Sequence, residues 1–264
     1  MEDLKADIVV SLGDIPYNLT LGAKRIEKAT DRSIQWLQDH VAVRKELVDS
    51  SAQAKLFASL LPVACANQQS YIDCLTQDVA SDVHGLAIHI VSSLEDLPDS
   101  LAHLPRLGFT APNSPHDVLT QIALGLDLVT IPFITSATDA GIALDFTFPS
   151  PGSQSDHFAY GVPLPLGVDM WSESHAIDLS PLAKDCSCYA CTNHHRAYIQ
   201  HLLAAKEMLG WVLLQIHNHH IIDFFFSAIR RSIADDTFEQ DVESFGKAYE
   251  SRLPDRTGQG PRYA

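Results

Sequence analysis

Three cysteines and one histidine are the residues of this chain whose types and spacing best support chemistry. Cys186, Cys188 and Cys191 lie within six positions, and His217 follows after twenty-five further residues. Three thiolates and one imidazole are a ligand set that structural zinc uses, in which all four tetrahedral positions are taken by protein. Such an ion has no position left for a water molecule, so it stabilises a fold rather than activating a substrate. The spacing predicts one structural Zn²⁺ bound by these four residues.

A redox-active dithiol is the main alternative interpretation of Cys188-x-x-Cys191. Redox pairs of this spacing lie at the start of a helix that follows a strand, and they do not use a distant histidine. For His217 the alternative is an ordinary surface histidine on a helix, since His219 and His220 are close by. The spacing favours His217 as the ligand over its two neighbours.

The composition is that of a soluble globular protein. The chain has 264 residues, of which 46% are hydrophobic and 19% are charged. This hydrophobic content is too high for a disordered protein. No apolar run approaches the roughly 20 residues needed to cross a bilayer, and the acidic start contains no signal-peptide pattern. The cysteines are therefore expected to be reduced, with Cys65 and Cys74 as buried thiols.

The net charge limits the possible partners. A formal charge of −15 argues against extensive, unaided binding to nucleic acid, because phosphate contacts require a positive surface. A local basic patch, or a basic partner that makes most of the contacts, remains compatible with this charge.

The first half of the chain alternates apolar strand-like segments with helical ones. Repeated units of this kind predict a parallel sheet covered by helices. Five such units are visible, whereas a closed (β/α)₈ barrel needs eight strands, so the sheet is either open or part of a barrel. The predicted strands cover 6–12, 55–64, 85–90, 106–110 and 126–133, and the predicted helices cover 20–48, 67–80, 94–104 and 114–125, the last capped by Ser114 with Pro115 in its first turn.

The second half has a different organisation. Residues 149–183 are rich in Pro, Gly and Ser and predict an irregular or hairpin-like insertion. A mostly helical zinc-binding subdomain is predicted over 184–250, and a disordered segment over 251–264.

The cysteine segment and the helix after it resemble the zinc-binding end of the tRNA-guanine transglycosylases. The similarity includes the four ligands, their spacing and the run Arg196-Ala197-Tyr198. Upstream, residues 6–17 and 115–128 resemble further segments of that family in the same order, as do Asp31-Arg32-Ser33, 67–69 and 84–87. The resemblance implies an α/β fold of the TIM (β/α)₈-barrel type that lacks its N-terminal strands, with a partial barrel over 1–148 and the C-terminal zinc-binding subdomain completing it.

The departures from the family pattern concern catalysis. Thr130 stands where catalytic members carry their nucleophilic aspartate, and the acidic pair that recognises the base is reduced to Gly13-Asp14. A threonine hydroxyl without an activating base is a poor nucleophile. The segment with the general base would precede residue 1. With these parts missing, and with 137–149 similar to the non-catalytic branch of the family, the resemblance implies no catalytic residues.

The function implied by the resemblance is that of a non-catalytic subunit of a queuine tRNA-ribosyltransferase. Such a subunit would support the exchange of guanine for queuine at the wobble position of tRNAs with GUN anticodons. It implies a heterodimer with the catalytic subunit, contact with tRNA through the complex and no binding to DNA. It also implies a cytoplasmic location, with peripheral association with the mitochondrial outer membrane.

Two alternative functions remain open from sequence. The chain could be an active transglycosylase that uses another carboxylate, for which Asp127, Asp139 and Asp145 are the candidates. It could also be a zinc-stabilised interaction module unrelated to tRNA. Direct contact between 194–196 and tRNA phosphate is a further hypothesis, while the pair at 230–231 is expected on a solvated helix face.

The start of the chain raises a separate expectation. A barrel without its opening strands exposes two unpaired sheet edges. Met1 is therefore interpreted as the start of a truncated gene model or as an alternative start.

Overall fold

The structure, a computed structural model, describes residues 6–15, 21–46, 54–150, 162–255 and 257–261. The chain divides into two compact units. The first unit comprises Met1–Ala111 with Thr120–Thr130, and the second comprises Pro112–Leu119 with Ile131–Ala264. Among the helices of the described residues, none combines the length and the apolar character that crossing a bilayer requires.

The first unit is built on a parallel sheet of five strands in chain order. The strands are β1 (Ile8–Val10), β2 (Lys55–Ser59), β3 (Gly85–Ile88), β4 (Arg106–Gly108) and β5 (Leu128–Val129). Each pairs in parallel with the next along the chain. An uninterrupted chain order is how strands follow one another in a (β/α) barrel, whereas a doubly wound sheet reverses its order at a switch point. The predicted parallel sheet is confirmed, and its strands are shorter than the apolar runs suggested.

Helical segments of the first unit cover the sheet with an apolar face. The long helix α1 (Ala23–Glu46) buries Ala29, Leu37 and Val41. The predicted helix over 67–80 is a continuous helical stretch of three kinds, a 3₁₀ turn over Cys65–Gln68, α2 (Gln69–Asp73) and a π-type turn over Cys74–Asp78. The core of this unit combines these elements with β2 and β3 through residues such as Leu56, Leu75 and Leu86.

Two further segments match or modify the sequence expectations. The short helical piece predicted over 94–104 is a pair of 3₁₀ turns, Val91–Leu94 and Asp99–Leu101. Helix α3 runs over Pro115–Ala123. As predicted, Pro115 is its first residue, and the amide of Asp117 donates to the Ser114 hydroxyl at 3.3 Å, which caps the helix.

The second unit contains a two-stranded sheet and a group of helices. Strands β6 (Ile142–Leu144) and β7 (Gly167–Asp169) pair antiparallel, with Leu144 opposite Gly167. The helices are α4 (Phe133–Ala140), α5 (Tyr189–Asn193), α6 (Arg196–Ala204), α7 (Met208–Ala234) and α8 (Phe238–Ala248), with a 3₁₀ turn at Glu173–His175. A core of buried side chains joins β6, α5, α6 and α7, including Ala143, Ile199 and Leu214.

The predicted strand over 126–133 is wrong in its second half. Only Leu128–Val129 pair as a strand, and the chain then forms α4, which begins after Pro132. Gly141 ends this helix with a φ of 79°, a left-handed conformation that glycine adopts without strain. The apolar run in this region therefore belongs to a short buried helix, because helix and strand cannot be separated by hydrophobicity over so few residues.

The predicted insertion over 149–183 is only partly described, since 151–161 lie outside the described residues. Its later part supplies β7 and Trp171, whose indole nitrogen donates to the carbonyl of Ala140 at 3.0 Å. A Cβ atom at Gly258 would lie 2.1 Å from that indole ring, and Thr257 donates to Asp169. Residues 257 and 258 thus lie next to Asp169 and Trp171, and the predicted disorder of 251–264 stays a prediction.

Candidate metal centre

The three cysteines lie in a tight turn at the start of α5, and we call residues 186–191 the cysteine knuckle. Asp185, just before the turn, has a φ of 60°, which lies in the left-handed region. Cys188 is the N-cap of α5, and its sulfur accepts from the amide of Cys191 at 3.3 Å. A sulfur at this position takes one of the backbone donors that a helix start leaves without an intrahelical partner. Helix capping therefore fixes the position of the Cys188 sulfur.

His217 brings the fourth candidate ligand from the middle of α7. Its side chain is fully buried, and its Nδ1 lies 3.6 Å from the sulfur of Cys186, 3.5 Å from that of Cys188 and 3.4 Å from that of Cys191. The four ligand atoms all lie within 4.8 Å of one another. A tetrahedral ion with zinc–sulfur and zinc–nitrogen bonds of ordinary length separates such atoms by about 3.6 Å. The arrangement therefore fits a metal ion of zinc's size and coordination.

The opposite ring nitrogen of His217 is held by the backbone. Nε2 lies 2.8 Å from the carbonyl oxygen of Leu144 in β6, so Nε2 carries a hydrogen and donates. This bond orients the ring and leaves Nδ1 facing the three sulfurs. Outer contacts of this kind are typical of metal-binding histidines, because they select the tautomer and the ring orientation.

Asn218 is a supporting residue that the sequence expectations did not include. It is fully buried, its Oδ1 accepts from the amide of Leu144 at 2.8 Å, and its Nδ2 donates to Thr138 and to the carbonyl of Ile142, both at 3.0 Å. The adjacent pair His217-Asn218 thus binds both backbone groups of Leu144. The available signal was a histidine followed by an asparagine within an apolar helix, where a buried amide must find several partners.

The neighbouring histidines have other partners. The side chain of His219 lies 2.7 Å from that of Gln215, and His220 lies 3.4 Å from the hydroxyl of Ser187. Of the three histidines considered from sequence, the structure brings only His217 to the cysteines.

The electrostatics of the cluster favour positive charge between the sulfurs. Burial lowers the pKa of His217, but hydrogen bonds to the three sulfurs outweigh burial and raise this pKa to about 11. Burial raises the pKa of Cys188, yet hydrogen bonds from His217, from the amide of Cys191 and from Cys186 bring it down to about 6. A metal cation between the sulfurs would have the same partners as a proton on Nδ1. The lowered pKa of Cys188 favours the thiolate, which is the form of cysteine that binds metal.

Arg196 fastens the segment that leads into the knuckle. Its guanidinium donates to the carbonyls of Pro181 and Leu182 at 2.9 and 2.8 Å, and it lies 3.7 Å from Asp178 and 3.8 Å from Asp145. An arginine with these partners is a structural residue. The hypothesis that 194–196 contacts phosphate is weakened accordingly, since His195 also caps α6 by accepting from the amide of Tyr198.

Thr130, which the resemblance places at the position of the family's nucleophile, has a hydroxyl with structural partners. The Oγ1 of Thr130 lies 2.7 Å from the carbonyl of Thr110 and 3.1 Å from that of Gly108. Both acceptors are backbone oxygens. The hydroxyl of Thr130, just after β5, therefore joins this segment to the end of β4 and the residues that follow it. Within the described ranges, no basic side chain forms a hydrogen bond with this hydroxyl, and general-base activation requires one.

Asp14, which the resemblance places in a base-recognition turn, is engaged in ion pairs. Arg25 donates to its two oxygens at 2.7 and 2.6 Å, and Arg32 lies 3.1 Å away. The amide of Asp14 also donates to the hydroxyl of Ser33 at 3.0 Å. Hydrogen bonding to Arg25 lowers the pKa of Asp14. Arg32 and Ser33, of the segment Asp31-Arg32-Ser33, therefore hold this turn together with Arg25, and its carboxylate is already paired.

Asp127 and Asp145, two further acids considered from sequence, and the two remaining cysteines have the following surroundings. The carboxylate of Asp127 accepts from the amide of Arg106 at 2.8 Å, where β4 begins, and burial raises the pKa of Asp145. Cys65 and Cys74 are buried thiols as predicted, and burial raises the pKa of both. Within the described ranges, the Cys₃His set is the one group of three or more histidines, cysteines or acids that could hold a metal ion.

Fold and site together define an α/β protein with a parallel sheet in chain order and a Cys₃His group fit for a metal ion. The chain matches the queuine tRNA-ribosyltransferase family over residues 1–251, and it belongs to that family.

Its curated relatives carry the name queuine tRNA-ribosyltransferase accessory subunit 2. The protein of that name from Schizosaccharomyces pombe (strain 972 / ATCC 24843) is 36% identical over 261 residues, which cover 97% of this chain and 56% of the relative. The Drosophila pseudoobscura pseudoobscura protein is 31% identical, over 91% of this chain and 58% of the relative. The Ixodes scapularis protein is 33% identical, over 79% and 56% respectively. The chain thus spans a little over half the length of the relatives it matches.

The ion pairs of Asp14 predict a pH-dependent stability. Asp14→Asn removes the charge-assisted bonds to Arg25 and Arg32 and should lower the free energy of unfolding by about 1 kcal/mol at pH 7. Because folding lowers this pKa below 3.8, the contribution is complete above that pH and is lost as the pH falls through the folded-state value. Urea unfolding at pH 7 and at pH 3 should therefore show a smaller difference at the acidic pH. Asp7→Asn, at an exposed site, is the control, and an equal loss in both variants would contradict the assignment.

Proposed function

We propose that this chain is the non-catalytic subunit of a queuine tRNA-ribosyltransferase, which supports the exchange of guanine for queuine at the wobble position of tRNA. One contrast carries the proposal. The metal-binding end has all four candidate ligands in place, while Thr130, at the position of the catalytic nucleophile, binds backbone carbonyls. The names of the curated relatives agree with it. The cytoplasmic location stays a prediction.

The metal is proposed to be zinc, bound by Cys186, Cys188, Cys191 and His217. Three soft sulfurs and one imidazole suit zinc, and the nitrogen–sulfur distances of 3.4 to 3.6 Å agree with its tetrahedral bonds. When bound, the ion would fix the knuckle to α7 and, through Leu144, to β6. With four protein ligands, its contribution would be to folding and to the shape of this surface.

The absence of catalysis is proposed from the positions that a transglycosylase would use. Formation of a covalent intermediate at a ribose carbon requires an ionised carboxylate, and Thr130 offers a hydroxyl that is already donating. Asp14 is neutralised by two arginines. A subunit in this condition can still serve an enzyme by completing its dimer and positioning tRNA.

A surface on α7 supports the proposal of a catalytic partner subunit. Four residues at helical spacing carry exposed apolar side chains on one face: Leu209, Val212, Ile216 and Phe224, which are 44%, 48%, 40% and 60% exposed. His220, whose ring lies 4.7 Å from that of Phe224, continues the same stripe. We call these residues the α7 stripe. Because α7 also carries His217, the metal would hold this stripe in place, and a continuous apolar stripe is typical of an interaction surface.

Loss of one ligand should abolish metal binding. Cys188→Ala is expected to lower the zinc content from about one ion per chain to near zero, since three ligands no longer close the tetrahedron. Mass spectrometry of purified protein measures the zinc, and thermal unfolding reports the loss of stability. Cys65→Ala removes a buried thiol outside the cluster and should retain its zinc. Stoichiometric zinc in the Cys188 variant would show that the ligand assignment is wrong.

The α7 stripe predicts where the catalytic subunit binds. Val212→Asp places a charge in the stripe and should weaken the heterodimer by at least about tenfold, because the charge must be desolvated on binding. Val43→Asp is the matched control, as Val43 is 54% exposed on α1 and Val212 is 48% exposed. Sedimentation of mixed subunits measures the affinity, and circular dichroism verifies that both variants fold. Equal affinities for the two variants would place the interface elsewhere.

Incorporation of labelled guanine into tRNA tests the function as a whole. The catalytic subunit with this chain should be active, and this chain alone should be inactive. Activity of this chain alone would support the alternative of an active transglycosylase. Failure to bind the catalytic subunit, with stoichiometric zinc present, would favour an interaction module unrelated to tRNA. Separate Asp127→Asn, Asp139→Asn and Asp145→Asn variants would show which carboxylate is used if the first alternative is correct.

A further inference from the structure

Strand β6 has a second edge that side chains of α7 occupy. Among the described strands, β6 pairs with β7 alone. The amide of Asp145, just after β6, donates toward that side, to the carbonyl of Leu166 at 3.0 Å. Because the backbone groups of an antiparallel pair face the partner strand at every second residue, those of Ile142 and Leu144 point away from β7. These groups require partners from another element.

Asn218 bonds this edge as a third strand would. Its carboxamide accepts from the amide of Leu144 and donates to the carbonyl of Ile142. A residue of a neighbouring parallel strand makes the same two bonds through its backbone. The second hydrogen of Nδ2 goes to the hydroxyl of Thr138 in α4. Both donors of this fully buried amide are therefore used, and its three partners determine its orientation.

The ring of His217 depends on the strand residue that Asn218 holds. Its Nε2 donates to the carbonyl of Leu144 at 2.8 Å, and Asn218 bonds the amide of that same residue. A neutral imidazole carries one hydrogen, so a hydrogen on Nε2 leaves the lone pair of Nδ1 free to bind metal. A displaced Leu144 carbonyl would remove the bond that selects this tautomer.

We propose that Asn218 is a positioning residue of the metal centre, which holds the Leu144 carbonyl so that His217 directs an unprotonated Nδ1 at the ion. Asn218 lies outside the four candidate ligands and acts on them through the backbone of β6. Groups that orient a metal-binding histidine contribute about 10- to 100-fold to metal affinity. This inference rests on the proposed zinc and adds a residue that determines how tightly the ion is bound.

The zinc affinity of the full chain tests this role. Asn218→Ala keeps all four ligands but releases Leu144, and it should weaken zinc binding by at least about tenfold in competition with a chelator. Thr138→Val removes one acceptor of Asn218 with little change of shape, and it should weaken binding by a smaller factor. Ser232→Ala is the matched control, because Ser232 is also buried in α7 and bonds Asp241 rather than β6. Its zinc affinity should equal that of the unchanged chain.

The tautomer of His217 separates positioning from a general loss of stability. Nitrogen NMR of the zinc-loaded chain should show a hydrogen on Nε2 that exchanges slowly with solvent. This exchange should be faster in the Asn218 variant and unchanged in the Ser232 variant, with circular dichroism verifying that each is folded. If Asn218→Ala does not fold, Thr138→Val decides by the same two measurements.

Three results would overturn the inference. The first is an unchanged zinc affinity in Asn218→Ala, or in Thr138→Val where that variant decides. The second is equal weakening in Ser232→Ala, which would assign the effect to stability alone. The third is an unchanged chain that binds no zinc, which would contradict the proposed metal as well, whereas the first two leave the metal and its four ligands in place.

Discussion

The two-sided bonding of one imidazole is the interaction on which the second unit depends. The Nδ1 of His217 faces three sulfurs, and its Nε2 donates to the backbone of β6. A ring bonded on both sides cannot rotate without losing one set of partners. The cysteine knuckle, α7 and β6 are therefore connected through a single side chain, and Asn218 adds a second connection to the same strand residue.

This arrangement explains how a short knuckle can be stable without a large core of its own. Helix α5 has five residues, which is too short to be stable through its own hydrogen bonds. It is held in place because Cys188 caps it and because the three cysteines of the knuckle face α7, a helix of 27 residues. Arg196 fixes the preceding segment through carbonyls, so the knuckle is restrained on both sides. Fold and metal site are parts of one structure here, and a change in the ligands should affect both.

Much of this could be predicted from the sequence, and the reasons differ between regions. The Cys₃His site could be predicted because only a few residue types bind zinc and because the spacing of the four residues is restrictive. The parallel sheet could be predicted because strands that are buried on both faces have continuously apolar sequences. Helix α4 was missed, since a buried helix of eight residues and a buried strand have the same composition. Asn218 was missed because its role depends on three backbone and side-chain partners more than 70 positions away in sequence.

The metal ligands and the positions related to catalysis are subject to different physical constraints. A closed metal site contributes to folding, so any lost ligand destabilises the molecule whether or not it catalyses a reaction. Catalytic groups carry no such requirement, and polar groups left behind must still find partners when they are partly buried. Thr130 bonds backbone carbonyls and Asp14 pairs with two arginines, so both groups have partners within the protein. The combination of an intact Cys₃His cluster with such satisfied positions agrees with the proposal of a subunit retained for its fold and its surface.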